Sequence, residues 1–148
     1  MKRTVLFLCT GNSARSQMAE ALVNHFRGDQ WQAVSAGTHP TGLVHPLAIE
    51  ALKEIGIDAS SARSKSADEF PDTAFDLVVT VCDNAAEECP LWLGRGKRTH
   101  IGFPDPAKGT LADFRTVRDG IRQEIIPFLD AYEQSAASEQ LGSPVGSG

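Results

Sequence analysis

Residues 4–26 read TVLFLCTGNSARSQMAEALVNHF, and the change of hydrophobic period across them decides the fold. Thr4 to Leu8 is a short continuous apolar run, as expected of a strand covered on both faces. From Ser16 to Phe26 the apolar positions Met18, Ala19, Leu22, Val23 and Phe26 fall on one helical stripe. Between them lies the polar turn Cys9-Thr-Gly-Asn-Ser-Ala-Arg15, where Gly11 permits a tight reversal.

Working outward, the alternation continues. Trp31–Ala36 reads as a second strand stopped by Gly37, and His45–Ile55 as a helix with Pro46 in its first turn and Gly56 past its end. Asp76–Val81 is a valine-rich strand and Arg98–Phe103 a shorter one. Thr110 is placed to cap a last helix carrying Leu111, Phe114, Val117, Ile121, Ile125, Phe128 and Tyr132, with Pro127 expected to kink or break its final turns. The expected fold is α/β: one domain over residues 1–133, with a four-stranded parallel sheet flanked by helices on both faces. Residues 134–148, rich in Ser and Gly, are expected to form a flexible solvated tail.

The chain has 148 residues, enough for one domain and too few for two. Hydrophobic residues at 41% and charged residues at 22% exclude wholesale disorder and fibrous repeats. A net charge of −5 argues against a nucleic-acid surface. No apolar run is long enough to cross a bilayer, and Thr4–Leu8 is too short for a signal peptide, so a cytoplasmic protein without membrane association is expected. Three cysteines, an odd number, read as free and reactive thiols and not as a disulfide framework.

Ligands of open parallel sheets bind beyond the carboxyl ends of the strands. Cys9 ends the first strand, Cys82 follows the third and Asp105 follows the fourth, so all three belong to one edge of the sheet. Backbone N–H groups of Thr10, Gly11, Asn12, Ser13, Ala14 and Arg15 can converge there on an anion at the positive end of the helix. The Arg15 guanidinium adds a planar fork suited to a tetrahedral oxyanion. These surroundings favour the thiolate of Cys9, and Ser16 can donate a hydrogen bond to it. Asp105 is the natural general acid; the alternative is that Asp105-Pro106 only starts a turn.

Cys82 and Cys89 lack the spacing of zinc ligands. On a helix they would share a face roughly 10 Å apart along the axis, whereas a disulfide needs Cα atoms within about 7 Å. A bond between them therefore requires the segment to unwind or loop out, and the alternative is two reduced cysteines that simply pack. The four histidines show no metal-ligand spacing: His45 reads as a helix cap, His25 and His39 as surface or loop residues, and His100 as a strand residue. Trp31 and Trp92 read as packing residues, and Asp83, Glu87 and Glu88 as solvated ones.

Thr4–Phe26, Asp76–Leu91 and Gly102–Ala107 together resemble the thioredoxin-coupled arsenate reductases, which share the low-molecular-weight protein tyrosine phosphatase fold. The resemblance implies that arsenate, with phosphate as competitor, binds the amides of residues 10–15 and Arg15. It implies attack by Cys9 with Asp105 as acid, then a Cys9–Cys82 disulfide, then a Cys82–Cys89 disulfide reduced by thioredoxin. No metal or other cofactor is implied, and the protein is read as a monomer. Ala14 stands where some relatives carry a further cysteine that this relay does not use. Some relatives hold a potassium ion with side chains matching Asn12, Glu20 and Ser35 plus an aspartate. Lys65 stands at that aspartate's position, which implies an ammonium in place of the ion.

Two other functions compete. A low-molecular-weight phosphatase acting on phosphotyrosine or small phosphomonoesters would use the same loop through a phosphocysteine at Cys9. It has no need of Cys82 and Cys89, and it usually carries a tyrosine just after Asp105-Pro106, which is absent here. A silent oxyanion-binding or redox-sensing module would keep the loop without using Asp105.

Overall fold

A computed structural model describes residues 2–70, 75–82 and 97–146. Four strands, β1 (Arg3–Cys9), β2 (Trp31–Gly37), β3 (Leu77–Thr80) and β4 (Lys97–His100), form one sheet in the order β2-β1-β3-β4. Every pairing is parallel, with Leu8 opposite both Ala36 and Thr80. The helices are α1 (Arg15–Phe26), α2 (Pro46–Lys53) and α3 (Leu111–Gly146), with a short 3-10 turn at Ala67–Glu69. The expected α/β architecture is present.

Val5 to Leu8 have no solvent exposure, so the central strand is covered on both faces, as its unbroken apolar run requires. Helix α1 inserts Met18, Ala19, Leu22 and Val23, and α3 inserts Phe114, Ile121, Ile125 and Leu129. Trp31 is fully buried beside Tyr132, ring centroids 5.7 Å apart, a packing role as expected. No helix among the described residues is long and apolar enough to cross a membrane.

Three local expectations need correction. Pro127 does not break α3. It is exposed, as is Gln123, whose carbonyl loses its helical partner on the solvent side of the helix, while the buried Ile125 and Leu129 hold the helix on the core. The backbone stays helical to Gly146, beyond the boundary expected at residue 133. The fourth strand ends at His100, but Ile101 N–H to Thr80 O and Phe103 N–H to Val81 O carry the pairing onward.

Charged clamps fix the helices to one another. Arg27, at the end of α1, makes a two-pronged pair with Asp130 of α3 at 2.8 and 2.9 Å. Arg118 of α3 donates to Ala51 O in the last turn of α2 and to Glu54 just beyond it. The Arg27 guanidinium, bonded to Asp130, holds that carboxyl below its ordinary range against the opposing effect of burial. A depressed carboxylate contributes stability that is full above about pH 4 and lost as pH falls through its folded-state value. Asp130→Asn is therefore expected to lower stability at pH 7 by less than ~1 kcal/mol, since the pair is partly exposed. It should also flatten the acid limb of a Tm-against-pH curve, measured by thermal denaturation.

Candidate active site

The turn between β1 and α1 has its carbonyls occupied from outside. Cys9 O accepts from Thr38 N–H, Thr10 O from His39 N–H and Ser13 O from His45 N–H. Gly11 O accepts from Thr41 N–H and from Ser64 Oγ. Asn12 O accepts from Gln17 Nε2, and Ala14 O takes the first helical bond of α1, from Met18 N–H. With its acceptors taken, the loop presents N–H groups to its interior, an anion-binding concavity at a helix N-terminus.

The backbone of β2 must come very close for this to happen. A Cβ on Gly37 would lie 2.5 Å from Thr10 O, so only glycine fits there. Sequence reasoning read Gly37 as a strand stop; its constraint is this approach to the loop.

Cys9 sits inside the concavity, 2% exposed. Asn12 N–H donates to its Sγ at 3.2 Å, and Ser16 Oγ lies 2.8 Å from it. Ser16 Oγ already accepts from Asn12 Nδ2, which frees its own proton for the cysteine sulfur. The Asn12 side chain is satisfied in four directions. Its Nδ2 donates to Ser16 and Ser35, and its Oδ1 accepts from Gln17 Nε2 and Lys65 N–H. These bonds hold Asn12 at φ 48°, the one non-glycine positive φ among the described residues. A left-handed residue costs about 1–3 kcal/mol, and four buried hydrogen bonds at about 1 kcal/mol each outweigh it.

Arg15 and Asp105 meet across the rim. Arg15 Nη1 donates to Phe103 O at 3.1 Å, and Nη2 lies 3.8 Å from Asp105 Oδ2. Asp105 Oδ1 accepts from Ala107 N–H, which leaves Oδ2 as the oxygen facing the loop. Cys82, 5% exposed, follows β3 and hydrogen-bonds through Sγ to Thr10 Oγ1 at 3.3 Å. Cys9, Ser16, Arg15, Asp105 and Cys82 are thus gathered at one edge of the sheet, with Thr10 to Ala14 as the loop itself. Cys89, with Asp83, Glu87, Glu88 and Trp92, lies outside the described residues.

A family model described as low molecular weight phosphotyrosine protein phosphatase matches residues 4–140. The chain belongs to this family. Among curated relatives, arsenate reductase 2 of Staphylococcus saprophyticus is 46% identical over 129 residues, covering 87% of this chain and 98% of that protein. The arsenate reductase of Bacillus subtilis is 44% identical, covering 86% of this chain and 96% of the relative. A solved arsenate reductase in a phosphate-binding state superposes with a TM-score of 0.79 at 29% identity, covering 87% of this chain and 98% of that one. A low molecular weight protein tyrosine phosphatase from T. tengcongensis superposes with a TM-score of 0.76 at 28% identity, covering 88% and 99%.

Within this phosphatase-family loop, Gln17, Ser64 and the imidazole of His45 were not recognised as site-building residues from the sequence. Their partners are 5 to 62 positions away, with no spacing that announces them. The Asn12 network ends in a charge pair. Ser35 Oγ donates to Glu20 Oε1 at 2.6 Å, and Lys65 Nζ lies 3.7 Å from the same oxygen. The ammonium therefore stands at the acidic end of the chain of bonds leading through Ser35, Asn12 and Ser16 to Cys9. Lys65→Met should lower Tm by about 3 °C, the equivalent of ~1 kcal/mol for a half-buried pair in a chain of this size. Potassium chloride should restore part of that loss where choline chloride does not, as read by thermal denaturation.

Proposed function

We propose that this protein is an arsenate reductase, and that the catalytic sulfur chemistry runs from Cys9 to Cys82 to Cys89. Arsenate enters as a dianion held by the loop amides and the Arg15 fork. The Cys9 thiolate attacks arsenic while Asp105 gives its proton to the departing oxygen, which leaves as water. A sulfur–arsenic bond now joins Cys9 to the substrate. The Cys82 thiolate attacks Cys9 Sγ, and the electron pair of the sulfur–arsenic bond passes to arsenic. Arsenic(V) becomes arsenic(III), arsenite departs, and a Cys9–Cys82 disulfide remains. Cys89 then attacks Cys82, restoring the Cys9 thiolate and forming a Cys82–Cys89 disulfide. Thioredoxin reduces that bond, and the enzyme works as a monomer in the cytoplasm.

The observation that carries this reading is the hydrogen bond between Thr10 Oγ1, in the oxyanion loop, and Cys82 Sγ. A phosphatase needs the loop, Cys9, Arg15 and Asp105; it has no use for a second buried thiol tied to that loop. The curated relatives named arsenate reductases support the same choice. Phosphate has the shape and charge of arsenate, so slow phosphomonoester hydrolysis through a phosphocysteine accompanies the main activity.

The test is NADPH consumption with thioredoxin, thioredoxin reductase and arsenate, alongside hydrolysis of 4-nitrophenyl phosphate on the same samples. Cys9→Ser abolishes both activities. Cys82→Ser and Cys89→Ser abolish sustained arsenate turnover and leave hydrolysis within about three-fold of the native rate, well under the tenfold that 1.4 kcal/mol represents. Brisk hydrolysis with no arsenate-dependent NADPH consumption in the native protein would make it a phosphatase.

Thr10→Val keeps the backbone amide and removes the hydroxyl. It should slow arsenite release in a single turnover by about ten-fold, in line with the loss of one hydrogen bond to the attacking sulfur. Hydrolysis should change little. Equal loss in both assays would mean that Thr10 shapes the loop and does not serve Cys82.

A further inference from the structure

The imidazole of His45 joins three parts of the site, and nothing in the chemistry above uses it. Its backbone N–H donates to Ser13 O of the oxyanion loop at 2.9 Å. Its Nδ1 accepts from Leu47 N–H at 3.1 Å, capping α2. Because Nδ1 accepts, the ring proton resides on Nε2, which lies 3.3 Å from Ala107 O. The ring itself rests on the buried Phe114 of α3, centroids 4.5 Å apart.

Ala107 is the residue that orients the general acid. Its N–H holds Asp105 Oδ1 at 3.0 Å, while its carbonyl receives His45. The turn from Pro106 to Gly109 closes on itself through Gly109 N–H to Pro106 O. Asp105 is 59% exposed, so packing does not fix its direction. Two polar contacts do so: the 3.8 Å approach to Arg15, which arsenate or phosphate must share, and the Ala107 peptide held by His45.

We propose that His45 is a positioning residue for the protonation step: by tethering the Ala107 peptide to the oxyanion loop, it keeps Asp105 Oδ2 aimed at the departing oxygen. This rests on the reading of Asp105 as general acid. Binding of the anion uses the loop amides and Arg15, so the effect falls on kcat and leaves KM nearly unchanged. It is largest for a poor leaving group, which cannot depart without a proton, and small for 4-nitrophenolate, which can.

The two functions of the ring can be separated by substitution. In His45→Asn the side-chain oxygen reaches the position of Nδ1 and keeps the cap, but nothing reaches Ala107. In His45→Gln the terminal amide reaches the position of Nε2 and can hold Ala107, but the cap is lost. The probes are phenyl phosphate and 4-nitrophenyl phosphate, with the ratio of their kcat values as readout and Asp105→Asn as reference.

His45→Asn is expected to keep Tm within about 2 °C while its ratio of 4-nitrophenyl to phenyl phosphate turnover rises several-fold toward that of Asp105→Asn. His45→Gln is expected to lose about 3 °C in Tm and to keep a ratio near the native one. The double variant His45→Asn with Asp105→Asn should show no further rise over Asp105→Asn alone. If Asp105→Asn raises the ratio but both His45 variants match the native protein, His45 does not position the acid, and the proposal falls while the Asp105 reading stands. If Asp105→Asn leaves the ratio unchanged, the acid reading itself falls and the proposal with it. Should His45→Asn unfold, His45→Ala assayed below its Tm takes its place: a several-fold raised ratio there beside a native one in His45→Gln supports the tether, and a native ratio in both overturns it.

Discussion

The site depends on one demand: the loop after β1 must turn its N–H groups inward, and every carbonyl that this turns outward must find a donor elsewhere. A peptide chain carries as many acceptors as donors, so a concavity of donors is stable only if the opposite face is supplied. Here the supply comes from residues 38–45, from Ser64 and from Gln17, all brought alongside by the order β2-β1-β3-β4 and the packing of α1. The anion site is therefore a property of the whole fold. Gly37 shows how tight the arrangement is, since a single methyl group on β2 would meet the Thr10 carbonyl.

Asn12 is where this backbone demand and the setting of the Cys9 sulfur are joined. Its N–H faces Cys9, its carbonyl is held outside, and its amide side chain orders Ser16, whose proton also faces Cys9. Left-handed backbone at a residue with a side chain persists only where the surroundings over-determine it, and the four side-chain bonds of Asn12 do so. The same network reaches the Glu20–Lys65 pair, so the geometry at Cys9 is continuous with that charge pair.

Much of this was legible in the sequence, for a definite reason. The strand, loop and helix over residues 3–26 are near neighbours in the chain, so hydrophobic period and turn chemistry suffice to place Cys9, Arg15 and Ser16 together. Asp105 and Cys82 followed from a topological rule, that residues just past the carboxyl ends of parallel strands share an edge. What escaped is built from common polar residues that meet only after folding: Gln17 with Arg63 O, Ser64 with Gly11 O, His45 with Ala107 O. No spacing marks them. Pro127 misled in the opposite direction, because a local rule against helix was outweighed by the buried apolar side chains on either side of it. The end of α3 shows the same limit: Ser and Gly content argued for a tail, while the intervening Ala136, Ala137, Glu139 and Leu141 favour helix.

On the proposed reading, the loop does not choose between arsenate and phosphate, and it has no means to do so. Both are tetrahedral dianions, and the amides and Arg15 recognise charge and shape. The choice is made one step later, at sulfur. Once Cys9 is bonded to the central atom, two outcomes compete: water attacks that atom, or Cys82 attacks Cys9 Sγ. The second requires the central atom to accept the electron pair of the bond that breaks. Arsenic(V) accepts it readily and leaves as arsenic(III); phosphorus(V) does not, and waits for water. A buried thiol tied to the loop through Thr10 therefore confers specificity without discriminating in binding. On that reading, one scaffold can serve both the relatives named arsenate reductases and the one named a tyrosine phosphatase. In this chain the reductase outcome rests on a second sulfur, Cys82, held against the loop that carries the first.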